Sequence, residues 1–240
     1  LSDSNLDNLP ICLTYTNRQT EKINLGVRKE LFGDNIMRFM ENEIIIFNNY
    51  YLLNKNKSAY YTSQKSRVRK VELTVIKPKY IGLCDIYKKE ILSEKRSKII
   101  DRFDSIFGCF KELEIKVWKL VLQNDDIVYV VHDTKEYNEL IETLSTKIKK
   151  FRIFLNKIYG KCYEELMEVI WSYLYESVID IFADVSYGYC ITTHKSQGST
   201  FNNVYVDMNN IIFKNTNIEE SYRCLYTAIT RTSNKLGILI

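Results

Sequence analysis

The sequence holds no G-x-x-x-x-G-K-[ST] segment, and no apolar strand that ends in paired acidic residues before a helix. These are the backbone cradle for phosphates and the usual holder of magnesium, so the chain is not expected to bind and hydrolyse a nucleotide unaided. No C-x-x-C pair occurs, and the six cysteines at 12, 84, 109, 162, 190 and 224 lie far apart. Neither a metal site nor a disulfide scaffold is indicated, and reduced thiols of an intracellular protein are expected. With only two prolines and eight glycines, no low-complexity linker divides the chain. There is no signal peptide and no run of about 18 apolar residues, so no membrane partner is expected.

What is present is a folded-protein composition: 240 residues, 45% hydrophobic and 27% charged, enough for a sizeable core in two units. The richest segment is Tyr187-Gly188-Tyr189-Cys190-Ile191-Thr192-Thr193-His194-Lys195-Ser196-Gln197-Gly198-Ser199-Thr200, followed by Val204-Tyr205-Val206-Asp207. It reads as strand, polar turn, strand. Alternation through Tyr189, Ile191 and Thr193 predicts a half-buried strand, and Gly198 permits a backbone that a side chain would obstruct. The polar residues then cluster at a sheet edge able to hold phosphates.

Downstream, Ser221 to Arg231 runs on helical spacing, with Leu225, Ala228 and Ile229 as the docking face. Arg231 stands at the helix end, where a planar, permanently charged guanidinium suits a phosphate. Near the start, Ile11-Cys12-Leu13-Thr14 predicts a buried strand, Thr16 or Asn17 an N-cap, and Ile23 and Val27 the inward stripe of a helix. Arg18 follows at the exit of that strand, where open α/β sheets place ligand contacts.

In this order, Thr16-Asn17-Arg18, the Thr192-x-His194-Lys195-Ser196-Gln197-Gly198 segment and the helix ending in Thr230-Arg231 resemble motifs IV, V and VI of the superfamily 1 helicases, RecD-like and Dda-like branch. The likeness covers roughly 1–33 and 183–240 and is fainter between. It implies an α/β, RecA-like parallel-sheet domain of the P-loop NTPase type, interrupted by an inserted small β-barrel and a helical segment. The expected division is 1–33 for the first part of the motor domain, 34–133 for the barrel, 134–182 for the helical segment and 183–240 for the second part.

By the same resemblance, Arg231 and Arg18 reach the γ-phosphate of ATP, and Gln197 and Gly198 approach the nucleotide. Thr192, His194 and Lys195 touch single-stranded DNA. ATP and Mg are held mainly by an upstream ATP-binding motor domain of the same protein, which is the expected partner beside DNA and replication proteins. The family often carries Glu after the motif V glycine; Ser199-Thr200 stands here, which leaves a ribose contact from that position open.

Net charge is only +4, but 55–79 carries Lys55, Lys57, Lys65, Arg67, Arg69, Lys70, Lys77 and Lys79 against Glu72, with Tyr60 and Tyr61 among them. Basic groups neutralise phosphates and aromatic rings stack on bases, so Lys65, Arg67, Arg69 and Lys70 are candidate strand-binding residues. A solvated hairpin face is the plain alternative.

The interior predicts strands at 44–47, 68–76, 115–122 and 127–131, a turn at Asp125-Asp126, and helical stretches over 84–110, from 134 onward, and over 163–182. Asp133 or Thr134 caps the helix whose stripe is Tyr137, Leu140, Ile141, Leu144, Ile148 and Phe151.

Taken singly, His194 suits a structural histidine in a polar turn, Arg18 a partner of Glu21, and Arg231 a helix-terminal arginine facing the dipole. Abundant Lys, Asn, Ile and Tyr fit an A/T-rich coding bias, hence a large DNA virus, a phage or a low-GC microbe, and action in cytoplasm, nucleus or a viral replication site. The rival expectation is a non-enzymatic nucleic-acid-binding replication scaffold, or a subunit of a viral origin-binding or helicase-primase protein.

Overall fold

A computed structural model describes residues 6–53, 59–87, 96–159 and 164–240. Lys55, Lys57, Ile91, Cys162 and Tyr163, which figure in the sequence expectations, lie outside the described residues. In chain order the elements are β1 (Ile11–Thr14), α1 (Asn17–Phe32), β2 (Ile44–Phe47), β3 (Tyr51–Leu52), β4 (Ala59–Tyr60), β5 (Lys65–Ile76), α2 (Leu83–Ile86), α3 (Arg96–Phe107), β6 (Ile115–Leu122) and β7 (Ile127–Val131). There follow α4 (Thr134–Tyr159), α5 (Glu164–Leu174), β8 (Val185–Tyr187), β9 (Cys190–Thr192), β10 (Phe201–Asp207), α6 (Met208–Phe213), α7 (Ile218–Thr230) and β11 (Thr232–Leu239).

The chain divides into two compact units. One takes the described residues up to Val71, with Leu120–Val128 and Asp184–Ile240. The other takes the described residues of Glu72–Lys119 and Tyr129–Ala183.

The first unit is built on a parallel sheet in the order β11-β10-β1-β9. β1 and β9 are buried along their whole length, as fits strands covered on both faces, whereas β10 carries polar residues between its buried ones and β11 is largely exposed. Ile11, Leu13, Ile191, Val204, Val206, Ile211, Cys224 and Ala228 form one buried core. β9 is buried along its whole length rather than alternating, which corrects the half-buried reading. The reason is α1, which lies over this edge strand. Its inward residues are Asn24 and Arg28, while Ile23 and Val27 are half-buried.

Polar residues face inward there because the edge strand and its neighbours present backbone groups that need partners. Asn24 donates to the Cys190 carbonyl and accepts from the Cys190 N–H, both at 2.9 Å. Arg28 pairs with buried Glu43, donates to the carbonyls of Met37 at 2.6 Å and Arg38 at 3.1 Å, and lies 4.0 Å over the Tyr187 ring. Burial pushes the Glu43 carboxyl above its ordinary range, opposed by the Arg28 guanidinium and the Met40 N–H.

In the same unit β2 pairs antiparallel with β5 and with β8. Gly188 joins β8 to β9. A Cβ there would stand 2.7 Å from Ile44 Cγ2, so glycine is required by the close approach of β2. Asp125 sits at φ 65° in the turn between β6 and β7, with its N–H bonded to the Leu122 carbonyl at 3.0 Å, as the sequence predicts.

The second unit gathers helices around an aromatic core. Phe103 and Phe107 lie 4.7 Å apart, and Tyr173 lies 5.2 Å from Phe107. Each fully buried Phe is worth about 1.5–3 kcal/mol. The Tyr173 hydroxyl donates to the Lys79 carbonyl at 2.8 Å and accepts from the Ile81 N–H at 3.0 Å, so its burial leaves no polar atom unpaired. The predicted stripe of α4 is kept, with Leu144, Ile148 and Phe151 buried. Asp133 is its cap, accepting from the N–H groups of Lys135 at 2.8 Å and Glu136 at 3.1 Å.

Candidate functional site

β1, β9, β10 and β11 run parallel, so the sheet has a C-terminal end and an N-terminal end. At the C-terminal end, Thr16 caps α1 by accepting from the Gln19 N–H at 3.3 Å. Asn210 Oδ1 accepts from the Tyr15 and Thr16 N–H groups at 2.9 and 3.0 Å, and Asp207 accepts from Asn210 N–H at 2.9 Å and Gln19 Nε2 at 2.7 Å. These bonds fix the exit of β1 against that of β10. Arg18, the second residue of α1, stands exposed beside them.

The turn of residues 193–200 leaves this end and returns to the N-terminal end, where β10 begins. Thr193 is anchored to Thr14, its N–H and its hydroxyl both donating to the Thr14 carbonyl, at 2.7 and 3.1 Å. Thr192 is buried, and its hydroxyl accepts from the Lys195 N–H at 3.4 Å. Its side chain therefore shapes the turn. His194 and Lys195 are exposed. Lys195 Nζ donates to Asn48 at 3.1 Å, and its carbonyl accepts from Ser63 Oγ at 2.9 Å. The His194 ring tilts against Tyr15 at 5.8 Å and brings Nε2 to 3.9 Å from both Glu220 Oε1 and Cys224 Sγ on α7. Burial, then the Glu220 carboxylate beside it, pushes the Cys224 thiol up to about 11.

Gln197 and Gly198 are exposed farther along the turn, where the Gln197 N–H donates to the His194 carbonyl at 3.3 Å. Gly198 has φ 81° with nothing within 4 Å of a built Cβ, so the left-handed backbone and not crowding requires glycine. Arg231 lies here too. Its Nε donates to the Thr227 carbonyl at 3.2 Å, NH1 to the Ser199 carbonyl at 3.3 Å and NH2 to Thr230 Oγ1 at 3.3 Å. These bonds hold the guanidinium in place while leaving part of its N–H fork uncommitted.

The structure thus brings Arg231 together with Gly198, and not with Arg18. Phe201 pairs with Thr232 at one end of the strands, and Val206 with Leu13 near the other. At a rise of about 3.3 Å per residue the two arginines are separated by about 20 Å along the strands. α7 keeps Ala228 of its expected docking face and shifts the rest. Ser221, Cys224 and Ala228 are buried, Leu225 is half-buried and Ile229 exposed, because the small residues let the helix lie close on the sheet.

On β5, Lys65, Arg67 and Arg69 share one face and Lys70 the other, by the period of a strand. Lys65 Nζ donates to the Leu9 carbonyl at 2.9 Å and lies 5.5 Å from the Phe201 ring centre. Arg67 NH1 donates to the Asn42 carbonyl at 3.4 Å, and Arg69 pairs with Asp125 at 2.5 Å. Lys70 is exposed. A cavity of about 880 Å³ adjoins this strand, lined among others by Tyr60, Tyr61, Lys65, Asn124, Ser199 and Thr200. Sequence reasoning missed Asn48, Ser63, Asn210, Glu220 and Cys224. Among these, only the spacing of Glu220 and Cys224, one helical turn apart, is a visible signal.

Residues 187–239 match the family of UvrD-like helicase C-terminal domains. The chain is 27% identical over 253 aligned residues to "Uncharacterized protein R530" of Acanthamoeba polyphaga mimivirus, covering 97% of this chain and 48% of that protein. It is also similar to the crystal structure of Pif1 helicase from Candida albicans, at 13% identity and a TM-score of 0.40, over 98% of this chain and 46% of that one. The chain spans about half the length of these relatives. The family match falls on the motif turn, α7 and β11, which lie in the unit built on the parallel sheet.

Proposed function

We propose that this chain is the second motor domain of an ATP-dependent DNA helicase, with a nucleotide side and a strand side at the two ends of one parallel sheet. The observation that carries this is the course of residues 193–200. The turn starts among exposed His194 and Lys195 at the C-terminal end and finishes at Gly198 and Ser199, beside Arg231, at the N-terminal end.

The nucleotide side is Arg231 with Gln197 and Gly198. The uncommitted donors of Arg231 and the open backbone at Gly198 fit a phosphate. Bound ATP with magnesium supplies the γ-phosphoryl group and its charge, and both are held mainly by the upstream motor domain. Arg231 then stabilises the charge that grows on that group, a contribution of about 10³ to 10⁵ in rate for arginines so placed. The strand side is His194 and Lys195, with Arg18 assigned to it by its position at the exit of β1, and Lys65, Arg67, Arg69 and Lys70 extending the basic surface. Thr192 acts through the turn that it caps. A shift of the turn caused by the nucleotide moves His194 and Lys195, which couples hydrolysis to movement along DNA.

The test uses the full-length protein. Arg231→Ala should lower DNA-stimulated ATP turnover by about 10³-fold or more while single-strand affinity stays within about twofold. Arg18→Ala should do the reverse, weakening strand binding with turnover kept at saturating DNA. Unchanged turnover in Arg231→Ala removes that arginine from the nucleotide side.

A further inference from the structure

We infer that His194, Glu220 and Cys224 form a binding site for a zinc-class divalent metal ion, with one coordination position open. The three side chains come from two elements, the turn after β9 and α7, and their donor atoms lie within 4.8 Å of one another. The separations are 3.5 Å from Cys224 Sγ to Glu220 Oε1, 3.9 Å from Cys224 Sγ to His194 Nε2 and 3.9 Å from His194 Nε2 to Glu220 Oε1. A tetrahedral zinc ion with ordinary Zn–S, Zn–N and Zn–O bonds sets its ligand atoms about 3.4 to 3.6 Å apart. The observed triangle needs to contract by only a few tenths of an ångström, within reach of small side-chain rotations.

The Cys224 thiol is within hydrogen-bond reach of Glu220 Oε1 at 3.5 Å, but the imidazole and the carboxylate are not closed on each other. A charge-assisted bond between imidazole and carboxylate closes to about 2.7–2.9 Å. Here His194 Nε2 and Glu220 Oε1 stay 3.9 Å apart, with all three donor atoms within 4.8 Å of one another. The neighbouring cation does not compete, since Arg223 turns to Glu219 at 2.6 Å. Glu220 and Cys224 sit one turn apart on the same face of α7, so the helix presents both donors together.

The donor set selects the metal. One sulfur, one imidazole nitrogen and one carboxylate oxygen suit zinc, cobalt or a similar borderline ion, and disfavour magnesium and calcium, which take oxygen ligands. Three protein ligands leave a fourth position for water or a further ligand. A cavity of about 350 Å³ lined by Gln197, Glu220, Arg223, Cys224, Tyr226 and Thr227 adjoins the triad and provides both the entry path and that space. The consequence is regulatory. An ion that holds His194 against α7 takes it from the strand side. This consequence rests on the reading proposed above, whereas the site itself does not.

Cobalt(II) added to the full-length protein is the probe, read by the thiolate-to-cobalt charge-transfer band in the absence of DNA. A band that saturates at one ion per chain, is lost in Cys224→Ser and needs at least tenfold more cobalt in Glu220→Gln is the expected result. No band in the wild-type protein, or a band of full intensity in Cys224→Ser, overturns the site. Should Cys224→Ser fail to fold by circular dichroism, His194→Gln decides in its place. His194 is exposed, so its substitution spares the core, and an unchanged cobalt affinity there refutes the proposal. With DNA present, zinc should weaken strand binding by the wild-type protein and not by Cys224→Ser. Metal binding without that effect counts against the strand-side reading and leaves the site standing.

Discussion

Asn24 answers both backbone groups of Cys190, donating to its carbonyl and accepting from its N–H at 2.9 Å each, from a helix that begins where the neighbouring strand ends. An edge strand that feeds the motif turn is thereby closed by a side chain where another strand would otherwise pair. Replacing Asn24 with Leu leaves a buried donor and acceptor unsatisfied, at about 1–3 kcal/mol for each group. Urea unfolding of Asn24→Leu should show a midpoint well below wild type. A midpoint equal to wild type means the edge finds other partners.

The buried pair of Arg28 and Glu43 gives a sharper contrast. Breaking it from one side, as in Arg28→Ala, leaves a buried carboxyl without its cation and should cost about 3–5 kcal/mol. The double change Arg28→Met with Glu43→Leu should recover most of that loss, since apolar groups of similar volume can replace a buried pair. Thermal melts of the single and double variants compare the two. Equal losses would show that the carbonyls of Met37 and Arg38, and not the carboxyl, are what Arg28 serves.

The basic strand makes a claim about salt. Lys65, Arg67, Arg69 and Lys70 changed to Ala should lower the slope of log affinity against log salt, by about 0.7 for each phosphate left without its cation. Arg69 already pairs with Asp125, so Arg69→Ala alone should move the slope least. Fluorescence anisotropy with a labelled single strand, repeated over a salt series, reads it. An unchanged slope in the fourfold variant returns this strand to a solvated surface.

Asp133 carries a dependence on pH. The N–H groups of Glu136 and then Lys135 hold its carboxyl below the usual aspartate range. Its folded pKa is depressed, so the stabilisation is full above the unfolded value and lost as pH falls through the folded one. Asp133→Asn keeps a capping oxygen without the titration. Denaturation measured from neutral to acid pH should fall more steeply for wild type than for this variant. Parallel curves would exclude the cap from the acid response.

Much of the site was legible in the residues because its signals are local. Thr-x-His-Lys-Ser-Gln-Gly, the arginine after a helical stripe and the β-branched strands each lie within a few positions of one another, and each maps to an element in the structure. What escaped was set by distant partners. Ile23 and Val27 looked like the inward face of α1, but Cys190 and Tyr187 far along the chain call for Asn24 and Arg28 there. The spacing of α7 marked Leu225, Ala228 and Ile229, of which Ala228 is buried, whereas the closeness of the sheet selected Ser221 and Cys224 beside it. Both arginines were named, Arg18 at a strand exit and Arg231 at a helix end, yet neither pattern tells that these lie at opposite ends of the sheet. That follows from strand direction alone.

Between β8 and β9 the chain has only Gly188 and Tyr189, and both are pinned. The Gly188 N–H donates to the Ile44 carbonyl at 2.9 Å, and the Tyr189 carbonyl accepts from the Cys12 N–H at 2.8 Å. Such a short, doubly held splice has no slack. The start of the motif turn is thereby tied to β2 through two residues, so the placement of His194 and Lys195 depends on how β2 is seated.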